Sequence, residues 1–164
     1  MADAKGRDSS SAAGGALKRI VRSAIVEHSA QAMYALVEDI EAYPQFLPWC
    51  IETKVLTREP DRTRATLTVA IKGVRQSFTT DNTQVPGQSI DMRLVEGPFS
   101  RFAAAWRFTG LGENAARIEF SLEFEFSSKV LAKMLNPLFD HIADTMVGSF
   151  SRRADVLYGK TSSN

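Results

Sequence analysis

Hydrophobic and polar residues alternate with a period of two across the middle of the chain. This spacing places every second side chain on one face of a strand. The clearest run covers residues 117–126, where Ile118 and further apolar residues alternate with charged or hydroxyl-bearing ones. Residues 65–71 and 90–94 show the same alternation. We predict a first strand near residues 17–27 and six more after residue 50, each with one buried face.

Short turn signals separate these runs. They occur at residues 59–61, at Gly73, at residues 86–87 and at residues 110–114. Glycine and proline at such short spacing favour hairpins between neighbouring strands. The strands are therefore predicted to form an antiparallel meander.

Two segments have the helical period instead. The first has apolar residues from Met33 to Ile40, and Ser29 stands where an N-cap belongs. The second is amphipathic from about Ser128 to Tyr158, and Asn136-Pro137 predicts a kink or a short break inside it. Its predicted inward arc contains Leu131, Leu135, Leu138, Phe139, Ile142, Met146, Phe150 and Leu157, and the opposite arc contains Lys133, Asp140, Asp144, Ser151 and Asp155.

A sheet with one apolar face and a long amphipathic helix bury both surfaces if the sheet curls around the helix. We therefore predict an α+β fold in the helix-grip arrangement, with a seven-stranded antiparallel sheet around a C-terminal helix. Residues 17–159 would form this single domain, which suits a chain of 164 residues that is 44% hydrophobic. Residues 1–16 and 160–164 are predicted to be tails, the first of them disordered.

The run from Tyr43 to Cys50 concentrates three aromatic residues, two prolines and the only cysteine. Each proline fixes its own φ and disfavours helical backbone in the residue before it, so Tyr43 and Leu47 are expected to be extended. The sequence predicts a stiff bend that directs Phe46 and Trp49 toward a core or a pocket.

This bend, with the helix before it, resembles the coenzyme-Q-binding START-domain family of the SRPBCC superfamily. Residues 95–99, 106–108, 124–127 and 146–159 also look like signatures of that family. The resemblance extends over about residues 17–159 and implies the same helix-grip fold. It also implies three different functions, because members have been assigned to quinone binding, to interference with the ribosome and to oligoketide cyclase chemistry.

A sheet curled around a helix need not fill its interior. Gln76, Thr80 and Asn82 share a strand face with Phe78, and this mixture, together with the family resemblance, indicates an apolar cavity for a small molecule. Each aromatic residue taken alone is more commonly part of a core. The predicted cavity residues are Phe46, Trp49, Gln76, Phe78, Asn82, Met92, Trp106, Phe108, Phe120, Leu135, Phe139, Ile142 and Met146.

The leading hypothesis from the sequence is a carrier or chaperone for a hydrophobic isoprenoid such as ubiquinone, serving respiration or quinone biosynthesis. A prenyl chain gains about 0.8 kcal/mol per buried CH₂ group, so binding needs no catalytic residue and no further cofactor. The quinone oxygens would contact Gln76, Asn82 or Arg107. Peripheral contact with a membrane fits this role, and the oligomeric state stays open.

The second hypothesis is a toxin that binds the large ribosomal subunit and blocks subunit joining. The net charge of +1 gives no general attraction to nucleic acid, so no DNA partner is predicted and an RNA contact needs a local basic patch. Candidate contacts are Lys129, Lys133, Arg152 and Arg153. Arg153, however, falls on the inward arc of the helix and is expected to pair with a carboxylate at the edge of the core.

The third hypothesis is a polyketide cyclase or aromatase, and it has no visible catalytic constellation. His28 and His141 are far apart and lack metal-ligand spacing, and the strand carboxylates Glu119, Glu123 and Glu125 alternate outward. We therefore predict no catalytic residue and no metal. Cys50 is expected to pack as a small apolar group. The lone cysteine and the absence of a long apolar run predict a cytoplasmic protein.

Overall fold

The computed structural model describes residues 17–159, except for the side chain of Ile71. The predicted tails at residues 1–16 and 160–164 lie outside the described residues. The elements are β1 (Lys18–Val26), α1 (Ala30–Glu38), a 3-10 helix (Ile40–Gln45), β2 (Cys50–Glu59), β3 (Arg62–Ile71), β4 (Val74–Val85), β5 (Ser89–Glu96), β6 (Phe99–Gly112), β7 (Ala115–Phe126) and α2 (Lys129–Tyr158).

All seven strands form one antiparallel sheet in the order β1-β7-β6-β5-β4-β3-β2. Strands β2 to β7 follow each other as hairpins, and β1 pairs with the free side of β7 from Lys18↔Phe124 to Val26↔Ala116. Helix α2 packs against β7 and β1 on the inner face of the sheet. The predicted helix-grip fold is therefore confirmed.

The alternation seen in the sequence decides which face of each strand is buried. In β7, the side chains of Ile118, Phe120, Leu122, Phe124 and Phe126 are buried, and the residues between them are more exposed. Helix α2 covers these side chains with a buried stripe that includes Leu135, Leu138, Phe139, Ile142 and Phe150. The core thus lies between one apolar sheet face and one helix stripe.

Both helices begin where their serine caps predict. The Ser29 hydroxyl accepts a hydrogen bond from the Ala32 N–H (3.0 Å), and the Ser128 hydroxyl accepts one from the Leu131 N–H (3.1 Å). These bonds satisfy N–H groups that the first turn of a helix leaves unpaired.

Of the two alternatives predicted at Asn136-Pro137, the short break is wrong, because α2 is continuous from Lys129 to Tyr158, and the kink stays a prediction. Pro137 removes the N–H that would bond the carbonyl of Lys133, but both residues are exposed, so water can serve that carbonyl. The inward position predicted for Leu157 is also wrong. Leu157 is 49% exposed, as is Tyr158, and Val156 is 74% exposed, since the last turn extends beyond the core.

The bend after α1 also differs from the expectation. Tyr43 is not extended but lies within the 3-10 helix, where its carbonyl accepts from the N–H groups of Phe46 (3.1 Å) and Leu47 (2.9 Å). The local preference set by Pro44 is overcome by burial of the Tyr43 side chain. Its hydroxyl donates to the Val37 carbonyl, and its ring meets the Phe150 ring edge-on at 5.5 Å.

Three carboxylates of the polar arc of α2 bind β1 or the segment just after it. Lys18 Nζ lies 3.0 Å from Asp140 Oδ1, and Arg22 Nη2 lies 2.7 Å from Asp144 Oδ1. His28 Nε2 lies 2.8 Å from Asp155 Oδ1. These contacts align α2 with the edge strand, and they place charged side chains along an edge that would otherwise invite strand pairing.

Candidate functional site

A small apolar cavity lies between the inner face of the sheet and α2. Its volume is about 70 Å³, and its walls come from β3 to β7, from the segment containing the 3-10 helix and from α2. The predicted residues that line it are Trp49, Phe78, Asn82, Met92, Trp106, Phe120, Phe139, Ile142 and Met146. That these side chains bind a ligand stays a prediction.

Four predicted residues do not line this cavity, and two of them belong to its surroundings. Phe108 packs parallel to Trp106, with ring centroids 5.9 Å apart, and is buried behind it. Leu135 is fully buried in the core on α2. Both side chains are buried, as the periodicity predicted, although neither lines the cavity.

The other two residues lie apart from the cavity. Gln76 lines a separate surface groove beside the β5–β6 turn. Phe46 is half-buried outside the cavity, where its ring meets Phe150 at 5.0 Å. The Arg153 guanidinium lies 5.0 Å from the centroid of that ring, and its Nη2 donates to the Gln45 amide oxygen (2.8 Å). The predicted carboxylate partner of Arg153 is therefore wrong, because the 3-10 helix brings an amide and a ring to that place.

Several lining residues were not predicted as cavity residues. Leu67 and Leu122 occupy inward positions of alternating strands, so the period-two pattern contained the signal that identifies them. Tyr43 lies in the proline-rich motif itself. The complete set of additional lining residues is Ile40, Tyr43, Leu67, Thr80, Phe102, Ala104, Leu122 and Phe150.

Few polar groups reach this cavity. The Thr80 hydroxyl donates to the Asn82 side-chain oxygen (2.8 Å), and both residues are buried. The Trp49 indole N–H is buried and has no hydrogen-bond partner among the described residues. Arg107, expected to contact quinone oxygens, instead points outward and donates to Asp91 (2.9 Å), so that expectation is wrong.

The volume of the cavity limits what it can hold. Pockets for drug-sized ligands measure about 300–1,000 Å³, and a water molecule takes about 30 Å³ of liquid volume. At about 70 Å³, this cavity has room for only a few atoms. A prenylated quinone therefore fits only if the aromatic walls move apart.

The ionisable groups of the described residues include one buried thiol and several paired carboxylates. No group of three His, Cys, Asp or Glu residues among residues 17–159 is placed to hold a metal ion. Burial raises the pKa of the Cys50 thiol to about 11, which keeps it protonated near neutral pH. Glu123 lies on the outer face of β7 and pairs with Arg19 (3.2 Å) and Arg101 (3.5 Å).

Asp81 on β4 is the carboxylate most strongly shifted by its neighbours. Hydrogen bonds from Arg62 (Nε, 3.0 Å) and Arg64 (Nη2, 3.2 Å) favour its ionised form and lower its pKa to about 2. Because this pKa is below that of the unfolded chain, ionised Asp81 stabilises the fold above about pH 4. That contribution disappears as the pH falls toward about 2.

We predict that Asp81→Asn lowers the free energy of unfolding by about 1–2 kcal/mol at pH 7 and by much less at pH 2. Urea unfolding at the two pH values measures both effects. Asp91→Asn is the matched control. Asp91 pairs with Arg107 while both side chains are 50% exposed, and such pairs contribute about 0–1 kcal/mol. Equal losses at pH 7 and pH 2 for Asp81→Asn would contradict the ion-pair explanation.

The sheet, the enclosing helix and the apolar cavity define a START-like helix-grip protein. The chain belongs to the polyketide cyclase/dehydrase and lipid transport family, whose model matches residues 26–151. The resemblance seen in the sequence is confirmed.

Two relatives and one solved structure illustrate what this chain is similar to. The ribosome association toxin RatA of Pseudomonas aeruginosa is 44% identical over 140 residues, which cover 85% of this chain and 97% of RatA. The mitochondrial coenzyme Q-binding protein COQ10 homolog B of Xenopus laevis is 29% identical, over 84% of this chain and 58% of that protein. The Zhui aromatase/cyclase structure from Streptomyces sp. R1128 superposes with a TM-score of 0.74 over 87% of this chain and 97% of that one, and at 14% identity it shows the fold alone.

Among residues 17–159, none of the helices combines the length and the hydropathy that crossing a bilayer requires.

Proposed function

We propose that this protein associates with the ribosome as RatA does, binding the large subunit and hindering subunit joining. The observation that supports this most is the 44% identity that extends over 97% of the Pseudomonas aeruginosa toxin. Identity over nearly the whole relative favours a shared function more than a shared fold does. Such a role would place the protein in the cytoplasm.

The size of the cavity supports the same choice. A cavity of about 70 Å³ leaves little room for an internal lipid, so a function performed by the outer surface suits this conformation better. This reverses the order of the hypotheses drawn from the sequence, in which quinone binding came first.

The proposal is tested by adding purified protein to ribosomes and separating the particles on sucrose gradients. We expect the 70S peak to fall and the free subunits to rise as protein is added, with the protein migrating with the large subunit. Contacts with RNA phosphates are strongest at low salt, so unchanged 70S levels at low salt would exclude the proposal.

A hydrophobic isoprenoid such as ubiquinone is the second candidate ligand. The apolar walls of the cavity and the likeness to the coenzyme Q-binding protein favour it. Binding would require the walls to separate, and a ligand at 100 times its Kd would then stabilise the fold by about 2.7 kcal/mol. Trp49 and Trp106 line the cavity, so their fluorescence should also change. If saturating ubiquinone alters neither the melting temperature nor the fluorescence, this candidate is excluded.

A further inference from the structure

We infer that the protein contacts the phosphate backbone of ribosomal RNA through one end of the sheet. This surface, called the basic end, consists of Lys72 and Arg75 of the β3–β4 hairpin and Lys129 and Lys133 of α2. The inference rests on the proposed function and names the surface and the chemical group that it would bind.

The topology brings the two parts of the basic end together. In an antiparallel meander, the β3–β4 turn, the β5–β6 turn and the connection from β7 to α2 all lie at the same end of the sheet. Phe78 of β4 meets Phe139 of α2, with ring centroids 6.0 Å apart. Lys72 and Arg75 precede Phe78, and Lys133 precedes Phe139, so these side chains belong to the same end of both elements.

Both parts also project beyond the body of the sheet. Strand β4 pairs with β5 only from Thr79 onward, whereas its pairing with β3 continues to Ile71↔Val74. About five residues of hairpin, or about 16 Å, therefore extend past β5. Phe139 meets Phe126, the last residue of β7, at 5.4 Å. Since ten helical residues span about 15 Å, the first turns of α2 extend past the end of β7.

The charges at this end are not neutralised by the protein. All four side chains of the basic end are exposed. None of them makes an ion pair with another described residue. The carboxylates nearest in sequence to these turns are Glu96, at the end of β5, and Glu125, near the end of β7, and neither makes an ion pair with the four cations. Elsewhere, eight cations are each paired with a carboxylate: Lys18, Arg19, Arg22, Arg58, Arg62, Arg64, Arg101 and Arg107. The other described cations without an ion pair are distributed over β2, β5, β7 and the C-terminal part of α2: Lys54, Arg93, Arg117, Arg152 and Arg153.

The opposite end of the sheet has the opposite character. Its turns carry Glu59 and Asp61 between β2 and β3, and Glu113 between β6 and β7. The turns at the two ends of the sheet therefore differ in charge, although Arg62 and Arg117 lie beside the acidic turns. Phosphate, as the repeated anion of RNA, is complementary to the four unpaired cations of the basic end.

The polar character of the hairpin favours RNA over a lipid surface. Its outer face has paired hydroxyls, in which Thr66 Oγ1 lies 2.6 Å from Thr79 Oγ1 and Thr68 Oγ1 lies 2.7 Å from Ser77 Oγ. Thr68 and Thr79 are buried, so the accessible members are Thr66, which is half-buried, and Ser77, which is exposed. Hydroxyls and cations together suit phosphate and ribose, which receive most hydrogen bonds at nucleic-acid interfaces. On α2, Val130 is 69% exposed between the two lysines, which adds an apolar contact without making the surface apolar as a whole.

The test compares three double variants for binding to purified large ribosomal subunits, measured by pelleting through sucrose at several salt concentrations. Two variants lower the net charge of the basic end by four units each. They are Lys72→Glu/Arg75→Glu and Lys129→Glu/Lys133→Glu. Arg117→Glu/Arg152→Glu changes the net charge equally, and both arginines are exposed in the half of the molecule away from the basic end. Because all these side chains are exposed, the melting temperatures should stay close to that of the unmodified protein.

We expect each basic-end variant to bind at least tenfold more weakly at low salt and the control to bind within about twofold of the unmodified protein. Two lost phosphate contacts should also reduce the slope of log K against log salt by about 1.4–1.8. If the control variant lost as much affinity for the subunits as the basic-end variants, the basic end would not be the binding surface. No binding by the unmodified protein would instead overturn the proposed function.

Vesicles containing phosphatidylglycerol separate RNA from a lipid partner. We expect the unmodified protein to bind subunits in preference to these vesicles. If the basic-end variants lose binding to vesicles but keep binding to subunits, the surface serves a membrane and the RNA assignment is wrong.

Discussion

Phe139→Ala is expected to lower the free energy of unfolding by about 3–5 kcal/mol, the range for truncating a buried aromatic residue. Phe139 is 2% exposed and contacts four phenylalanine rings from three strands. It is therefore one of the main side chains through which α2 packs on the curled sheet. The partners are Phe78, Phe99, Phe124 and Phe126, at centroid distances of 6.0, 5.3, 5.5 and 5.4 Å.

Urea unfolding followed by circular dichroism measures this loss. Leu157→Ala is the control on the same helix, because Leu157 is 49% exposed and should cost no more than about 0.5 kcal/mol. Similar losses for the two variants would mean that the four-ring contact does not hold α2 on the sheet.

The sequence predicted the architecture well because the fold repeats one simple pattern. A strand with one buried face must alternate, and β7 alternates along its whole length. The caps at Ser29 and Ser128 are local features that operate within three residues, so they too are readable from the sequence. The period-two alternation and the serine caps are therefore sufficient to predict the seven strands and the start of the long helix.

Local rules failed where tertiary contacts or solvent decided the outcome. Tyr43 takes a 3-10 conformation although Pro44 follows it, because burial of the ring outweighs the local preference. Pro137 stays inside α2 because the carbonyl that it leaves unpaired faces water.

The candidate site was harder to predict than the fold. An inward side chain reaches the cavity only if the curvature of the sheet brings it there. The register of β4 against β5 shifts between Thr79 and Thr80, and beyond this irregularity Gln76 faces a surface groove instead. Periodicity alone does not give such a shift.

The charge pattern was equally hidden. Lys18 and Asp140 are 122 residues apart in the chain and 3.0 Å apart in space. The cations that remain unpaired become visible only after such long-range partners are known. The basic end is therefore a property of the fold, although each of its residues can be read in the sequence.

Trp49→Ala is expected to cost about 3–5 kcal/mol of stability, because Trp49 is 4% exposed and supports the cavity wall. Trp49→Phe keeps most of this bulk and should cost clearly less. The indole N–H has no partner among the described residues, so its removal breaks no hydrogen bond there. Thermal melting of both variants measures the difference.

The same pair of variants separates the two proposed functions when each is studied well below its melting temperature. If the protein works through its outer surface, folded Trp49→Ala should bind large ribosomal subunits as the unmodified protein does, since the Trp49 side chain is buried. The Trp49 carbonyl accepts from the Ala70 N–H beside the β3–β4 hairpin (2.9 Å), and the substitution keeps this backbone bond. If the cavity holds the functional ligand, the truncation should instead weaken ubiquinone binding while leaving the basic end unaffected. Suppose instead that Trp49→Ala keeps its secondary structure but loses subunit binding. The cavity would then affect the binding surface, and this would contradict a function carried by exposed residues alone.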